Sequence, residues 1–206
     1  MKITNVNKLG GVFTFKHYKP VTQYNVDELT FDDLDRIEDI DGSPYRLTWS
    51  DKNHNLFVDQ GLVYALNVAF GQSVGGTPPL INAFFIGLSK IVNPWTNILD
   101  AASVHVNTDE MELYDESARP QWSPNALGIP GAIEVSDTGA EVTYTISDLG
   151  GGSETIYGAF LINSAPKDGS SDATATLIAG SDFTSSRILV KDDVFKVGYI
   201  LKAQAA

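Results

Sequence analysis

The chain has 206 residues, 43% of them apolar and 19% charged, and 14 Lys plus Arg stand against 26 Asp plus Glu for a formal net charge of −12. That length suits one β domain with an extension and buries a sizeable core without staples, whereas two complete domains would be cramped. The absence of Cys removes disulfides, thiolate catalysis and Cys-ligated zinc together, and the acidic balance argues against nucleic acid as a partner, because counterion release needs clustered Lys and Arg.

No apolar run reaches the ~18 residues needed to cross a bilayer. Residues Met1 to Gly10 also lack the continuous apolar core of a secretory signal. The expectation is a soluble protein made in the cytoplasm, with no membrane partner.

The start of the chain is bipolar. Lys2, Lys8, Lys16 and Lys19 come with no acid before Asp27, after which eight acids between Asp27 and Asp41 face only Arg36. Val12 to Tyr18 reads as a short strand carrying Phe13 and Phe15 and ended by Pro20. The acidic stretch carries Leu29, Phe31, Leu34, Ile37 and Ile40 at spacings of two or three, a marginal helical stripe that suits a short helix or an ordered loop. Tyr45, Leu47 and Trp49 alternate as one face of a strand. Residues 1–50 are therefore expected to form an N-terminal arm that orders fully against a partner, with Phe13, Phe15, Tyr18, Tyr24 and Phe31 as aromatic anchors. The competing reading is that its strands complete the sheet of the domain expected over residues 51–206.

One convincing helix is expected from about Leu56 to Phe70. Leu62, Ala65, Leu66 and Ala69 follow helical spacing, Asn53 or Asn55 caps the start and Gly71 closes the end. A Gly/Pro loop from Gln72 to Pro79 leads to a buried strand at Ala83 to Leu88. Residues Ser89 to Pro130 are broken by prolines and read as a long irregular excursion, with one helical turn at Asp100 to Val106 and a short strand at Met111 to Tyr114. An excursion of that length is usually functional. Its segment Tyr114 to Trp122 is the most distinctive in the chain, and Tyr114, Arg119 and Trp122 are of the types enriched at binding hot spots. An Arg stacked over a structural Trp is the alternative.

Strands then recur near 132–135, 141–147, 155–162, 174–178, 187–190 and 194–201. In Glu141 to Ser147 the residues Val142, Tyr144 and Ile146 alternate with polar ones, as in a half-buried strand. Thr155 to Ile162 has no polar face: Ile156, Gly158, Phe160 and Ile162 point one way, and Tyr157, Ala159 and Leu161 the other. Asp148 to Ser153, with three consecutive glycines, suggests that these two strands form a hairpin. The pattern as a whole reads as mainly β, a β-sandwich or jelly-roll-like domain with one amphipathic helix and an extended N-terminal arm.

Chemistry-bearing motifs are sparse. His17, His54 and His105 lack metal-ligand spacing, and Asp39 to Gly42 fails as a calcium loop because position one would be Ile37 and position twelve Thr48. Asp109, Glu110, Glu112, Asp115 and Glu116 offer carboxylates of the kind a glycosidase pairs, but a run of five in eight residues reads first as a solvated face. No nucleophile elbow, phosphate loop or dinucleotide fingerprint occurs. The expectation is no catalytic residue, no metal and no cofactor.

From the helix onward, the order of segments resembles small virion structural proteins of tailed bacteriophages. The features are Asp59-Gln-Gly-Leu-Val63 opening a helix, Phe85-Ile-Gly-Leu88 as a strand, Tyr114 to Pro120 with its Arg-Pro, Thr155 to Leu161 with Tyr-Gly-Ala, and Val190 to Val197 closing the chain, together covering roughly residues 55–202. The resemblance implies a β-sandwich or jelly-roll protein on the particle surface, most like a capsid decoration or cement protein. Its partner would be the major capsid protein of the same phage, and the protein itself a homo-oligomer located in the virion. A tail or fibre protein that binds a receptor is the second reading, and a polysaccharide depolymerase a third.

Overall fold

The computed structural model describes residues 8–23, 36–70, 83–123, 134–136, 141–147, 149–150 and 152–204. It is mainly β, and its strands pair antiparallel in two sheets. The first sheet runs β2 (Ile37–Ile40), β3 (Ser43–His54), β1 (Lys8–Pro20), β11 (Val194–Gln204) and β7 (Glu134–Ser136), and β8 (Val142–Thr145) shares with β7 the edge of β11 away from β1. The second runs β4 (Leu56–Phe57), β10 (Leu177–Val190), β9 (Ser153–Ile162), β5 (Phe84–Ser89) and β6 (Gln121–Trp122). Two helices are described, α1 (Asp59–Phe70) and α2 (Ala101–Thr108).

Strand β9 explains its own sequence. It lies between β10 and β5, so both edges are hydrogen bonded. Ile156, Ala159 and Leu161 join the core that the two sheets share, while Phe160 and Ile162 belong to a second cluster with Val58, Leu99, Ala101, Val104 and Leu177. Burial on both faces is what removes polar residues from a strand. Ile156 departs from the expected alternation, where β10 shifts register between Asp182 and Arg187.

The expected hairpin of residues 141–147 with 155–162 does not form. β8 pairs with β11 and β9 with β10 and β5, so the glycine-rich connection joins strands of different sheets. The reason is visible in the side chains: β8, with Val142 and Tyr144 buried and Thr143 and Thr145 partly open, suits a place with one covered face, whereas β9 needs neighbours on both edges and cover on both faces.

Where the sheets meet, the core is aromatic. Phe15 of β1 meets Phe183 of β10 edge to face at 4.4 Å, Trp122 of β6 meets Tyr199 of β11 at 5.2 Å, and Tyr144 donates its hydroxyl to the Ile86 carbonyl at 2.6 Å. Such pairs add to what burial alone contributes.

The first fifty residues are where expectation and structure part most. β1 sits between β3 and β11, with Phe13, Phe15 and Tyr18 almost fully buried. Those three side chains are therefore core residues and not exposed anchors, and the expected boundary at residue 50 falls inside β3. Alternation places Phe13 and Phe15 on the face turned to the second sheet, and the bulge between His17 and Tyr18 lets Tyr18 pack with Ile40 and Val194 in a small cluster of its own. Part of the acidic stretch is strand where a short helix or loop was expected: β2 and β3 form a hairpin whose turn residues Asp41 and Gly42 have φ of 53° and 79°. Asp-Gly is the pair that accepts such a primed turn, and Asp39 Oδ1 takes the Gly42 N–H at 2.8 Å. Tyr24 and Phe31 lie outside the described residues.

Helix α1 begins three residues later than expected, because Leu56 and Phe57 pair with β10 as β4. Asn55 is not its cap. Its Oδ1 accepts from Gly11 N at 2.6 Å and its Nδ2 donates to Tyr199 Oη at 2.8 Å, a side-chain bridge between β1 and β11. The strands expected at 174–178 and 187–190 are the two ends of one long β10, which begins after a 3-10 turn at Asp172–Thr174.

Candidate functional site

The excursion after β5 is held by a few backbone bridges and apolar contacts and by a buried cluster of charged side chains. α2 forms because Asp100 caps it, its Oδ1 accepting from Ser103 N at 3.0 Å and from Ser103 Oγ at 2.6 Å. It ends because Asp109 turns left-handed (φ 43°), a conformation Asp tolerates, and the Asp109 N–H returns to Val106 O at 3.3 Å. That reversal carries Glu110 into a bridge with Ser89 of β5 and points its carboxylate inward.

There it meets Arg119. Arg119 Nε donates to Glu110 Oε1 at 2.7 Å and Nη2 to Glu110 Oε2 at 2.6 Å, while Nη1 and Nη2 donate to Asp172 Oδ1 and Oδ2, each at 2.8 Å. The second Nη1 hydrogen goes to the Ser164 carbonyl at 3.0 Å. All five donors of the fork are thus used, in two bidentate pairs. The guanidinium also lies over the Phe160 ring, 5.4 Å from its centroid. The side chains of Arg119 and Glu110 are wholly buried and that of Asp172 nearly so. Burial opposes the charge on Arg119, but its hydrogen bonds to Glu110 and Asp172 outweigh it and hold the guanidinium above its ordinary pKa. Burial likewise raises the Glu110 carboxyl, against the pull of Arg119 and His105. His105 Nδ1 lies 3.2 Å from Glu110 Oε2 and Nε2 lies 3.5 Å from Glu112 Oε1, so the partly exposed imidazole stands between the buried Glu110 and the more open Glu112.

The trio ties three remote pieces of chain together: the turn after α2, the Arg-Pro at residues 119–120, and the connection between β9 and β10. The sequence drew attention to Arg119 but not to its partners. Glu110 was hidden in a run expected to be a solvated face, and Asp172 in a Ser/Gly-rich loop, so only the fold pairs them. The other four acids of that run are at least partly exposed, as expected, and each has work to do. Asp109 pairs with Lys90 at 3.3 Å, Glu112 with His105, Asp115 accepts from Ser147 Oγ at 2.7 Å, and Glu116 accepts from Thr145 N at 3.1 Å.

Tyr114 and Trp122, singled out as hot-spot residue types, are buried as Arg119 is. Tyr114 packs edge to face on Tyr144 at 5.0 Å, and Lys167 Nζ caps its ring at 4.1 Å while donating to the Tyr114 and Glu116 carbonyls. Arg119 stacks on Phe160 and not on Trp122, which belongs to the core with Tyr199 and Phe84. Tyr114, Arg119 and Trp122 therefore anchor the excursion from inside.

Several aliphatic side chains of the excursion are open to solvent among its polar ones. Ile98 in the turn before α2 is 78% exposed, Val106 on α2 is 77% exposed, and Val92 is 56% exposed, with Ile91 beside it also open. Their backbone is fixed. Trp95 lies flat on Gly180 of β10, where any side chain would collide with the indole ring, and donates Nε1 to Asp182 Oδ1 at 2.7 Å. Asn93 N donates to the other oxygen of Asp182 at 2.9 Å. Gln60 of α1 takes the N–H groups of Ala101 at 3.1 Å and Leu177 at 2.7 Å with a single oxygen.

Of the histidines, His17 is buried with Nε2 2.8 Å from Asp193 Oδ2, joining β1 to the turn before β11, and His54 is exposed at the end of β3. Among the described residues no three His, Asp or Glu side chains converge as metal ligands, and no helix is long and apolar enough to cross a membrane. No protein-family model, curated protein or solved structure matches the chain.

Proposed function

We propose that this chain is a non-enzymatic virion structural protein of a tailed bacteriophage, which binds the outer surface of the capsid and stabilises contacts between major capsid subunits. In this reading the two sheets form a sandwich of the jelly-roll kind, and the protein acts as a homo-oligomer on the particle. The resemblance of segment order over roughly residues 55–202 points to the class. The observation that carries the reading is the excursion between β5 and β6, which holds open aliphatic side chains on a backbone pinned by the Arg119 cluster and by Trp95 on Gly180. A surface ordered before contact loses little conformational freedom on binding. Many copies gripping neighbouring subunits then add their modest affinities through multivalency.

The test is copy number. Quantified gel bands from purified particles give copies per major capsid subunit, and a fixed ratio close to that subunit's supports decoration. A handful of copies per particle would assign the protein to the tail or fibre, as a receptor-binding or assembly part.

A further inference from the structure

His105 stands where two pieces of chain meet. α2 packs against the 3-10 turn Asp172–Thr174 of the β9–β10 connection, and the His105 ring, in the last turn of α2, lies against Gly169 of the same connection. Gly169 has φ of 70°, and a Cβ there would come within 2.7 Å of His105 Cγ, so ring and connection touch directly. Both ring nitrogens face carboxylates, Nδ1 the wholly buried Glu110 at 3.2 Å and Nε2 the more open Glu112 at 3.5 Å. Asp168, beside Gly169, is a third. Its carboxyl is lowered first by hydrogen bonds from Ser170 and in smaller part by the charge of His105.

The surrounding charges leave room for a cation on this ring. Glu110 and Asp172 together oppose a single guanidinium, an excess of negative charge that a proton on His105 cancels. Arg119 repels an imidazolium, but both of its neighbouring carboxylates already engage it. Lys90 is paired with Asp109 at the end of α2, and Lys167 is turned onto the Tyr114 and Glu116 carbonyls. The C-terminal end of a helix itself favours a cation.

We infer that His105 is a pH-dependent latch, whose imidazolium holds the C-terminal end of α2, the Glu110 to Glu112 turn and the Asp168–Gly169 bend together. Histidine is the side chain whose charge changes between about pH 5 and 8. An imidazolium attracts all three carboxylates and a neutral ring does not, so the latch is closed below that range and eases as pH rises through it. Strong acid also releases it, because Glu110, whose carboxyl burial raises, then loses its charge. The start of α2 is held by other means, through Gln60 and through Ala101 and Val104 in the apolar cluster with Leu177. The latch therefore sets the order of one corner and leaves the fold intact, whatever the protein binds.

The experiment is amide hydrogen exchange of the full chain, read by mass spectrometry at about pH 6 and about pH 8, with each rate divided by the intrinsic rate at that pH. Protection of residues 104–113 and 163–176 is expected to fall about fivefold between the two, while that of the central strand β9 stays unchanged. His105→Gln should show the lower protection at both pH values. Glu112→Gln, at a partly open carboxylate, should shrink the fall without removing it. Equal protection at both pH values in the parent would overturn the inference, and so would a fall that persists undiminished in His105→Gln. Where His105→Gln does not melt cooperatively, Glu112→Gln decides: a fall as large as that of the parent would overturn the latch, and a smaller one supports it.

Discussion

Replacing Arg119 by Met keeps most of the buried aliphatic volume and removes the charge, and with it all five hydrogen bonds of the fork. Glu110 and Asp172 are then left as two buried carboxylates without the guanidinium. Removing one partner of a buried ion pair costs about 3–5 kcal/mol, because the survivor cannot return to water. With two survivors the upper end is expected, about 5 kcal/mol. For a domain of this size that corresponds to a fall in melting temperature of roughly 10–20 °C. Arg119→Lys should fall between, since three donors on one nitrogen cannot serve two carboxylates and a carbonyl in the same geometry.

The pH dependence follows from the same group. Glu110 already has its carboxyl raised by burial, and loss of Arg119 takes away the principal opposing pull, so its folded-state value rises further. A carboxyl whose pKa is higher folded than unfolded is protonated preferentially in the folded state on acidification, so the deficit of Arg119→Met is greatest near neutral pH. It shrinks as pH falls through the raised folded-state value toward the ordinary one. Thermal and denaturant melts of the parent, Arg119→Met and Arg119→Met with Glu110→Gln and Asp172→Asn test this. The triple variant should recover about 2 kcal/mol or more of the loss, since it neutralises both orphaned acids. A loss below about 1 kcal/mol for Arg119→Met, or a deficit that deepens on acidification, would refute the argument that the trio behaves as one buried charge-compensated unit.

Three further outcomes are expected. Phe160→Ala should cost about 3–5 kcal/mol, since it empties a fully buried site between Trp95 and Arg119, whereas Thr143→Ala, partly open on β8, should stay within about 0.5 kcal/mol; comparable melting shifts would mean that the facing of β8 and β9 is wrong. Glu38 has its carboxyl lowered: burial alone would raise it, but hydrogen bonds from Tyr18 and Lys196 win. Its contribution is therefore present above the ordinary Glu value of 4.5 and lost as pH falls through the lower folded-state value, so the melting-temperature gap between parent and Glu38→Gln should close in that acid range, and a gap unchanged with pH would dismiss the Tyr18–Glu38–Lys196 contact. Deleting residues 1–20 should yield insoluble or unfolded protein, because β1 fills the space between β3 and β11 and carries Phe13 and Phe15; a deletion product with cooperative melting and strand-type circular dichroism would restore those residues to the status of an arm.

Local chemistry alone determined a good deal of this protein. Alternation marked β8, the absence of a polar face marked β9 as doubly covered, helical spacing found most of α1, and proline punctuation set off the excursion after β5. Each of these is a property of a few neighbouring residues and the period of their side chains. What the tertiary structure decided is partnership. Nothing within residues 141–162 states that β8 and β9 join different sheets, since a glycine-rich connection serves a crossing as well as a hairpin. The aromatic start of the chain reads first as an arm, and only the tertiary structure, which sets β11 from some 180 residues later beside it, makes it a strand of the sheet. Glu110 and Asp172 are unremarkable as partners of Arg119 in the sequence, and it takes the left-handed turn at Asp109 and the 3-10 turn at Asp172 to bring the three within hydrogen-bond reach. The hot-spot residue types of Tyr114 to Trp122 were legible, but not the direction in which they point, because burial is settled by which surfaces the sheets leave open and not by residue type.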